Sequence, residues 1–292
     1  MNTQRHVASV MNPPPPHMVG DGFRVHTFFP NGRAMDKHRM SPFYLLDYNA
    51  RMSFAPRREP RGVGVHPHRG FETVTIAYHG RIAHHDSAGN SGVIGTGDVQ
   101  WMTAGSGLLH KEYHEQSFSR EGGLFQMVQL WVNLPARFKM TPPKYQEITA
   151  NRLGRVQLAD GQGQVEVIAG AYQETAGPAS TFTPMHVYNV RLREGASVPL
   201  SFPTHYNTGL LVLEGAIRVQ DQQAAADQFM LFGNDGEAFT LAATSDAVVL
   251  VLSGEPIDEP IAQYGPFLMN TWQEVEQAVE DVNAGKFGYL ED

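Results

Sequence analysis

His66-Pro67-His68 and His110-Lys111-Glu112 are the stretches that decide this chain, with His110 standing 42 residues after His68. In a β-strand, side chains two apart share a face, so each stretch turns two ligand groups to one side. Three imidazoles and one carboxylate then converge on a single point. A nitrogen and oxygen donor set without sulfur suits Fe(II), Mn(II), Ni(II), Cu(II) or Zn(II) better than calcium or magnesium, which prefer oxygen alone. A lone histidine is more often structural than ligating. Here, seven of the chain's 13 histidines fall within residues 66–114, where even scatter would put about two. The others in that window, His79, His84, His85 and His114, are expected beside the ligands, along a pocket wall or at the surface.

With 41% hydrophobic and 18% charged residues, the composition is globular, and 29 Gly and 19 Pro among short apolar stretches favour many turns and short strands over long helices. An all-β fold is expected. The absence of cysteine removes disulfides, thiolate ligands and thiol redox chemistry, in agreement with a reducing compartment. The first 20 residues lack the basic start and apolar core of a secretory signal. No stretch approaches the ~18 apolar residues of a membrane span. The expectation is a soluble, cytoplasmic protein without a membrane partner. A net charge of −8 and no Lys/Arg-rich run beyond Arg57, Arg58 and Arg61 disfavour direct nucleic-acid binding.

Pro13 to Pro16 reads as an exposed, extended segment. Residues 22–29, 43–48 and 71–78 read as strands, the last closed by Gly80. Gly95 to Asp98 and Ala104 to Gly107 are turns around a short strand from Val99 to Thr103, and they deliver Leu108 to Glu112 as a ligand-bearing strand. Three prolines between Pro135 and Pro143 break the pattern, which predicts two domains, 1–143 with the metal and 144–292 without it. Residues 204–215 align with 69–80 as turn, apolar strand and glycine, the signature of an internal repeat. The second copy has no paired histidines, only His186 and His205. Near the end, Thr271 and Glu274 form a capping box, Val275, Ala278, Val279 and Val282 recur at helical spacing, and Gly285 supplies the stop. This terminal helix is expected to pack rather than to do chemistry.

Two longer stretches carry a family resemblance. One is His66-Pro67-His68-Arg69-Gly70-Phe71-Glu72-Thr73-Val74. The other runs Gly97-Asp98-Val99-Gln100-Trp101-Met102-Thr103-Ala104-Gly105-Ser106-Gly107-Leu108-Leu109-His110-Lys111-Glu112. Both resemble the metal motifs of cupins, small jelly-roll β-barrels, and within the cupins those of the pirins. Ser41-Pro42-Phe43, Leu45-Leu46-Asp47, Phe267 to Thr271 and Gly285 to Gly288 resemble pirins as well. The likeness runs from about residue 20 to the C-terminus.

The resemblance implies a bicupin, two jelly-roll barrels face to face with a C-terminal helix. It implies Fe(II), or another divalent transition metal, held by His66, His68, His110 and Glu112 in the first barrel alone. Glu72 stands where other cupins place a ligand, and the resemblance puts it beside the ligands instead. Thr103 in place of the usual cupin proline, and the longer gap from Gly105 to His110, are departures that pirins share. Trp101 and Phe71 are expected mainly as core packing, and Arg69 is expected to pair with a carboxylate.

For activity, the resemblance implies an Fe(II) dioxygenase that opens the central ring of a flavonol such as quercetin with O2 and releases carbon monoxide, Glu112 taking the 3-hydroxyl proton. The alternative is a non-catalytic iron-binding regulator of a metabolic enzyme or of a transcription-related protein partner. Both use the same ligands, so pocket-lining residues are what separate them.

Overall fold

The computed structural model of the chain describes residues 3–33 and 35–291. Strands dominate, and two compact units emerge, each a pair of antiparallel sheets in the bicupin manner. The unit that carries the paired histidines has a seven-stranded sheet. Its order is Lys144–Ile148, Val99–Thr103, Phe71–His79, Gly123–Asn133, Phe43–Phe54, Phe23–Phe29 and His17–Val19. Its second sheet runs Gly62–His68, Leu108–His114, Ile82–Asp86, Ser91–Ile94. Along Leu108–His114 the even-numbered residues are buried and the odd ones are half-exposed, so Leu108, His110, Glu112 and His114 all point inward.

The other unit repeats the plan. Asn207–Glu214 lies between Phe229–Phe232 and Ala247–Gly254, as Phe71–His79 lies between Val99–Thr103 and Gly123–Asn133. Each of the two central strands ends on a glycine with positive φ, Gly80 at +86° and Gly215 at +75°. In the places of the two ligand strands stand Ser197–Ser201 and Ala238–Ala243, which turn Val198, Leu200, Phe239 and Leu241 into an apolar core. Those side chains carry no donor atom for a metal.

The division differs from the expected segments 1–143 and 144–292. One unit comprises the stretch ending at Pro14, Asn31–Pro42 and Asn151–Pro256; the other comprises Pro15–Pro30, Phe43–Ala150 and everything from Ile257 onward. Strand Lys144–Ile148 continues the seven-stranded sheet of the histidine-bearing unit by pairing with Val99–Thr103, so the proline-rich stretch interrupts a unit without ending it. Val7–Met11 pairs with Phe229–Phe232. The terminal helix therefore belongs to the unit that carries the paired histidines, not to the second barrel.

That helix, Trp272–Asn283, has the expected capping box of Thr271 and Glu274, and Gly285 follows its end at φ +73°. Ala278, Val279 and Val282 pack on Phe267, Phe287 and Leu109, while Val275 meets Ala262 and Met269. Arg69 completes the seam: its guanidinium pairs with Asp281 at 2.9 Å, donates to the Ser106 carbonyl at 2.7 Å and lies over the Phe287 ring at 4.7 Å. No helix among the described residues is long and apolar enough to cross a membrane.

The turn after His68 is fixed from below. Gly70 adopts φ +88°, and a Cβ there would meet the Leu268 carbonyl oxygen at 2.1 Å, so glycine is required. The buried Lys139 Nζ donates to the carbonyls of Gly70 at 2.8 Å and Leu268 at 2.7 Å and to Asn133 Oδ1 at 2.7 Å. Burial lowers its pKa to about 7, yet three acceptors match the three protons of an ammonium, so the charged form fits this site. Lys139→Met leaves all three acceptors buried and unmet, and urea denaturation should show a loss of about 2–4 kcal/mol. A variant as stable as wild type would refute the role given to this lysine.

Candidate metal centre

Strand pairing brings the ligands together. His110 lies opposite His66 on one neighbouring strand and opposite Asp86 on the other, and Leu108 lies opposite His68. The rings of His66, His68 and His110 sit with centroids 4.3 to 4.8 Å apart, and their ligand atoms all lie within 4.8 Å of one another. His68 and His110 are buried, while His66 is partly exposed and forms the open side. The geometry thus unites the three histidines that spacing alone singled out.

Hydrogen bonds settle which nitrogen of each ring is free. His66 Nδ1 lies 2.8 Å from the Gly64 carbonyl, and His68 Nδ1 lies 3.4 Å from that of Pro266; a carbonyl only accepts, so both Nδ1 atoms carry the proton. For His110 the chain of inference is longer. The Gln100 amide nitrogen donates to Glu112 Oε1 at 3.0 Å and contacts His84 Nδ1 at 3.3 Å, making that nitrogen an acceptor. His84 Nε2 then carries the proton and donates to Asp86 Oδ2 at 3.1 Å. His110 Nδ1 lies 3.5 Å from His84 Nδ1, and a proton on it would be directed there, shared with the Gln100 amide.

With both Nδ1 atoms protonated, His66 Nε2 and His110 Nε2 face each other at 2.9 Å with a lone pair on each. Two facing lone pairs repel unless a cation lies between them. Metal–imidazole bonds of ~2.0–2.1 Å at right angles would separate two nitrogens by about 3 Å, so the spacing fits adjacent positions on one ion. Burial and the neighbouring histidines hold the pKa values of His68 and His110 well below the ordinary histidine range, which keeps both rings in the neutral, ligating form. The residues present fit a divalent transition metal.

Glu112 is the fourth candidate ligand, and its ligand oxygen groups within 4.8 Å of His84 and His110, without His66 and His68 in that set. It is buried, and its oxygens accept from Thr75 Oγ1 at 3.1 Å, Gln100 Nε2 at 3.0 Å and Gln129 Nε2 at 2.6 Å. These donors are neutral, and no lysine or arginine pairs with it among the described residues. A buried carboxylate without a cationic partner is costly, and a metal ion would balance it. Glu112 and His66 line one small cavity of about 30 Å³ with Val19, Phe23, Val25, Asp47, Val63, Met127 and Gln129.

Gln100, Thr75 and Gln129 are not among the residues that motif spacing singles out. Register explains them. Gln100 lies opposite Thr75, Thr75 opposite Gln129, Gln129 opposite Asp47, and Asp47 opposite Thr27, so five polar side chains form one row across five strands. A polar residue inside an apolar strand is the available signal. Tyr145 also escapes the motifs: its ring stacks on His84 at 5.1 Å. So does Trp131, which stacks on Phe71 at 4.3 Å and meets His68 edge-on at 5.4 Å.

Other expectations resolve as follows. Glu72 does not stand beside the ligands. It is three residues from Thr75 and so faces the opposite side of the strand, where Oε1 accepts from Thr103 at 2.7 Å and burial raises its pKa to about 7. Trp101, next to Gln100, is fully buried on that same opposite side and is packing, whereas Phe71 meets His68 at 4.9 Å. His84 orients His110. His114 sits among Phe23, Phe54, Phe118 and Phe125 with Nε2 on the Gly22 carbonyl, and burial lowers its pKa to about 4. His85 stacks on Tyr113, and His79 is partly exposed.

Comparison with known proteins agrees with this architecture. Residues 22–132 match the Pirin family, and residues 187–288 match the Pirin C-terminal cupin domain. A Pseudomonas aeruginosa protein named "Putative quercetin 2,3-dioxygenase" is 48% identical over 271 residues, covering 93% of this chain and 94% of its own. The crystal structure of a quercetin 2,3-dioxygenase from Acinetobacter baumannii matches with a TM-score of 0.93 and 46% identity, covering 99% of this chain and all of that one. A bacterial pirin from Escherichia coli, solved in complex with nickel(II), shares the fold with a TM-score of 0.65 at 19% identity, covering 85% of this chain and 100% of its own.

Two outcomes are expected. Asp86→Asn removes the charge that holds the His84 proton, so chelator competition should show metal affinity reduced about 10- to 100-fold; equal affinity would exclude the relay. For Glu72 the folded pKa of about 7 lies above the ordinary 4.5, so its stabilising contribution is complete below that lower value and is lost as pH rises through about 7. Against Glu72→Gln, wild type should therefore lose about 3 kcal/mol between pH 4.5 and 8. Parallel stability curves for the two proteins would contradict it.

Proposed function

We propose that this chain, which belongs to the pirin family, is an Fe(II)-dependent dioxygenase that opens the central ring of a flavonol of the quercetin type with O2 and releases carbon monoxide. The observation that carries the reading is the pair of facing imidazole lone pairs next to Glu112, at a cavity with a largely apolar wall. The names and similarity of the two dioxygenase relatives support it. A cysteine-free chain suits the cytoplasm, where we place it.

His66, His68, His110 and Glu112 would hold the ion. When bound, a divalent ion supplies Lewis acidity, which lowers the pKa of a hydroxyl that coordinates it. Glu112 would accept that proton; in support, three neutral donors fix the carboxylate, and one of its neighbours, Gln129, shares the cavity wall. Val19, Phe23, Val25 and Met127 offer apolar faces to a flat aromatic and exclude water from the reacting end. Such a cavity holds about one water, so a flavonol must displace these side chains to enter.

The small cavity is also what favours a second reading, an iron-binding regulator of a protein partner that admits no substrate. Glu112→Gln separates the two. The variant keeps the size of the side chain and loses the basic oxygen, so flavonol bleaching and O2 uptake at matched metal content should fall about 10²- to 10⁴-fold. Undiminished turnover would exclude Glu112 as the base. Iron-loaded wild type inactive on a panel of flavonols would overturn the dioxygenase and leave the regulator.

A further inference from the structure

Asp47 is the one cavity-lining carboxylate with no part in the centre described above. It lies on Phe43–Phe54 in the polar row, directly opposite Gln129 and therefore one strand, about 4.8 Å, beyond the residue that grips Glu112. Only 9% of its surface is exposed, and it shares its cavity with His66, Glu112 and Gln129. Oδ1 accepts from Thr27 Oγ1 at 2.5 Å. Oδ2 has no hydrogen-bond partner among the described residues, and no lysine or arginine pairs with the group. Val19, Phe23, Val25 and Met127 surround it.

Burying most of a carboxylate is unfavourable, and burial raises its pKa against the opposing effects of the Thr27 bond and of His17. An asparagine or a threonine would serve the cross-strand bond to Thr27 without that penalty. Asp47 instead lines the cavity at the site proposed for the substrate, one strand beyond Gln129 from Glu112.

We propose that Asp47 is a specificity-determining residue whose free carboxylate oxygen accepts a hydrogen bond from a second hydroxyl of the substrate. The site thereby selects polyhydroxylated aromatics over aromatics that bear only the hydroxyl directed at Glu112. This deepens the flavonol reading and rests on it for the placement of the first hydroxyl. Neutral donors fix the reacting end at Glu112, and the second anchor sets the tilt of the flat ring system in the cavity.

The test compares quercetin with 3-hydroxyflavone, which lacks every hydroxyl but the reacting one. Dissociation constants are measured without O2 from the shift of the flavonol absorption band, using metal-loaded wild type and Asp47→Asn. The variant keeps an acceptor for Thr27 and replaces the free oxygen with an NH2 group. Wild type should prefer quercetin, and the preference should shrink about 10- to 100-fold in Asp47→Asn, the loss of one charge-assisted hydrogen bond. Equal weakening of both ligands together with a lowered melting temperature would mean that Asp47 only ties strands, and would overturn the proposal. So would an undiminished preference in the variant, or a wild type that shows none. O2 uptake is scored separately, so a protein that binds with the expected preference yet consumes no O2 refutes the dioxygenase while sustaining the role of Asp47.

Discussion

Two imidazole nitrogens that face each other at 2.9 Å set the terms for the barrel that carries the paired histidines. The far nitrogen of His66 is engaged by the Gly64 carbonyl, and that of His110 lies against His84. A metal ion satisfies both lone pairs at once while leaving both rings neutral. The buried charge of Glu112 asks for the same remedy from the other side. What surrounds the cluster serves to keep the rings from turning away: Asp86 behind His84, the Pro266 carbonyl behind His68, and a glycine turn held by Lys139. A set of ligands held this firmly before the ion arrives needs little rearrangement to bind it.

The two units show how one barrel plan takes on or gives up chemistry. In both, a central strand ends on a left-handed glycine and a four-stranded sheet closes the other side. Where one barrel turns imidazoles and a carboxylate inward, the other turns valine, leucine and phenylalanine. Polar residues on the inner face are hard to satisfy, and the metal-bearing barrel does so with a row of amides and hydroxyls across its large sheet. The second barrel fills the corresponding space mainly with apolar volume, beside a buried cluster of Arg5, Thr208 and Ser253.

Legibility in the sequence follows the range of the interaction. The paired ligands, the strand alternation from Leu108 to His114 and the capping box of Thr271 and Glu274 are local, and each can be read within a few residues. The grip on Glu112 is not local: Thr75, Gln100 and Gln129 reach it from three strands whose register no single stretch encodes. The tail is harder still, since Arg69 finds Asp281 across more than two hundred residues. Glu72 shows a different failure. Strand parity alone turns it away from Thr75, yet a likeness to other cupin motifs draws it toward the ligands.

The exchange of terminal segments between the units bears on how the chain comes to be folded. The strand Val7–Met11 leaves the ribosome early but has no partner until Phe229–Phe232 is made. Conversely, every ligand is present by residue 112, yet the wall that orients His68 and seats Arg69 begins only at Ile257. During synthesis the ligand-bearing strands must wait for more than a hundred residues of the other barrel to be translated. Non-local closure of this kind is slow and leaves sheet edges uncovered in the interval. The contacts that orient His68 and seat Arg69 are therefore complete only once the chain has been translated through the terminal helix.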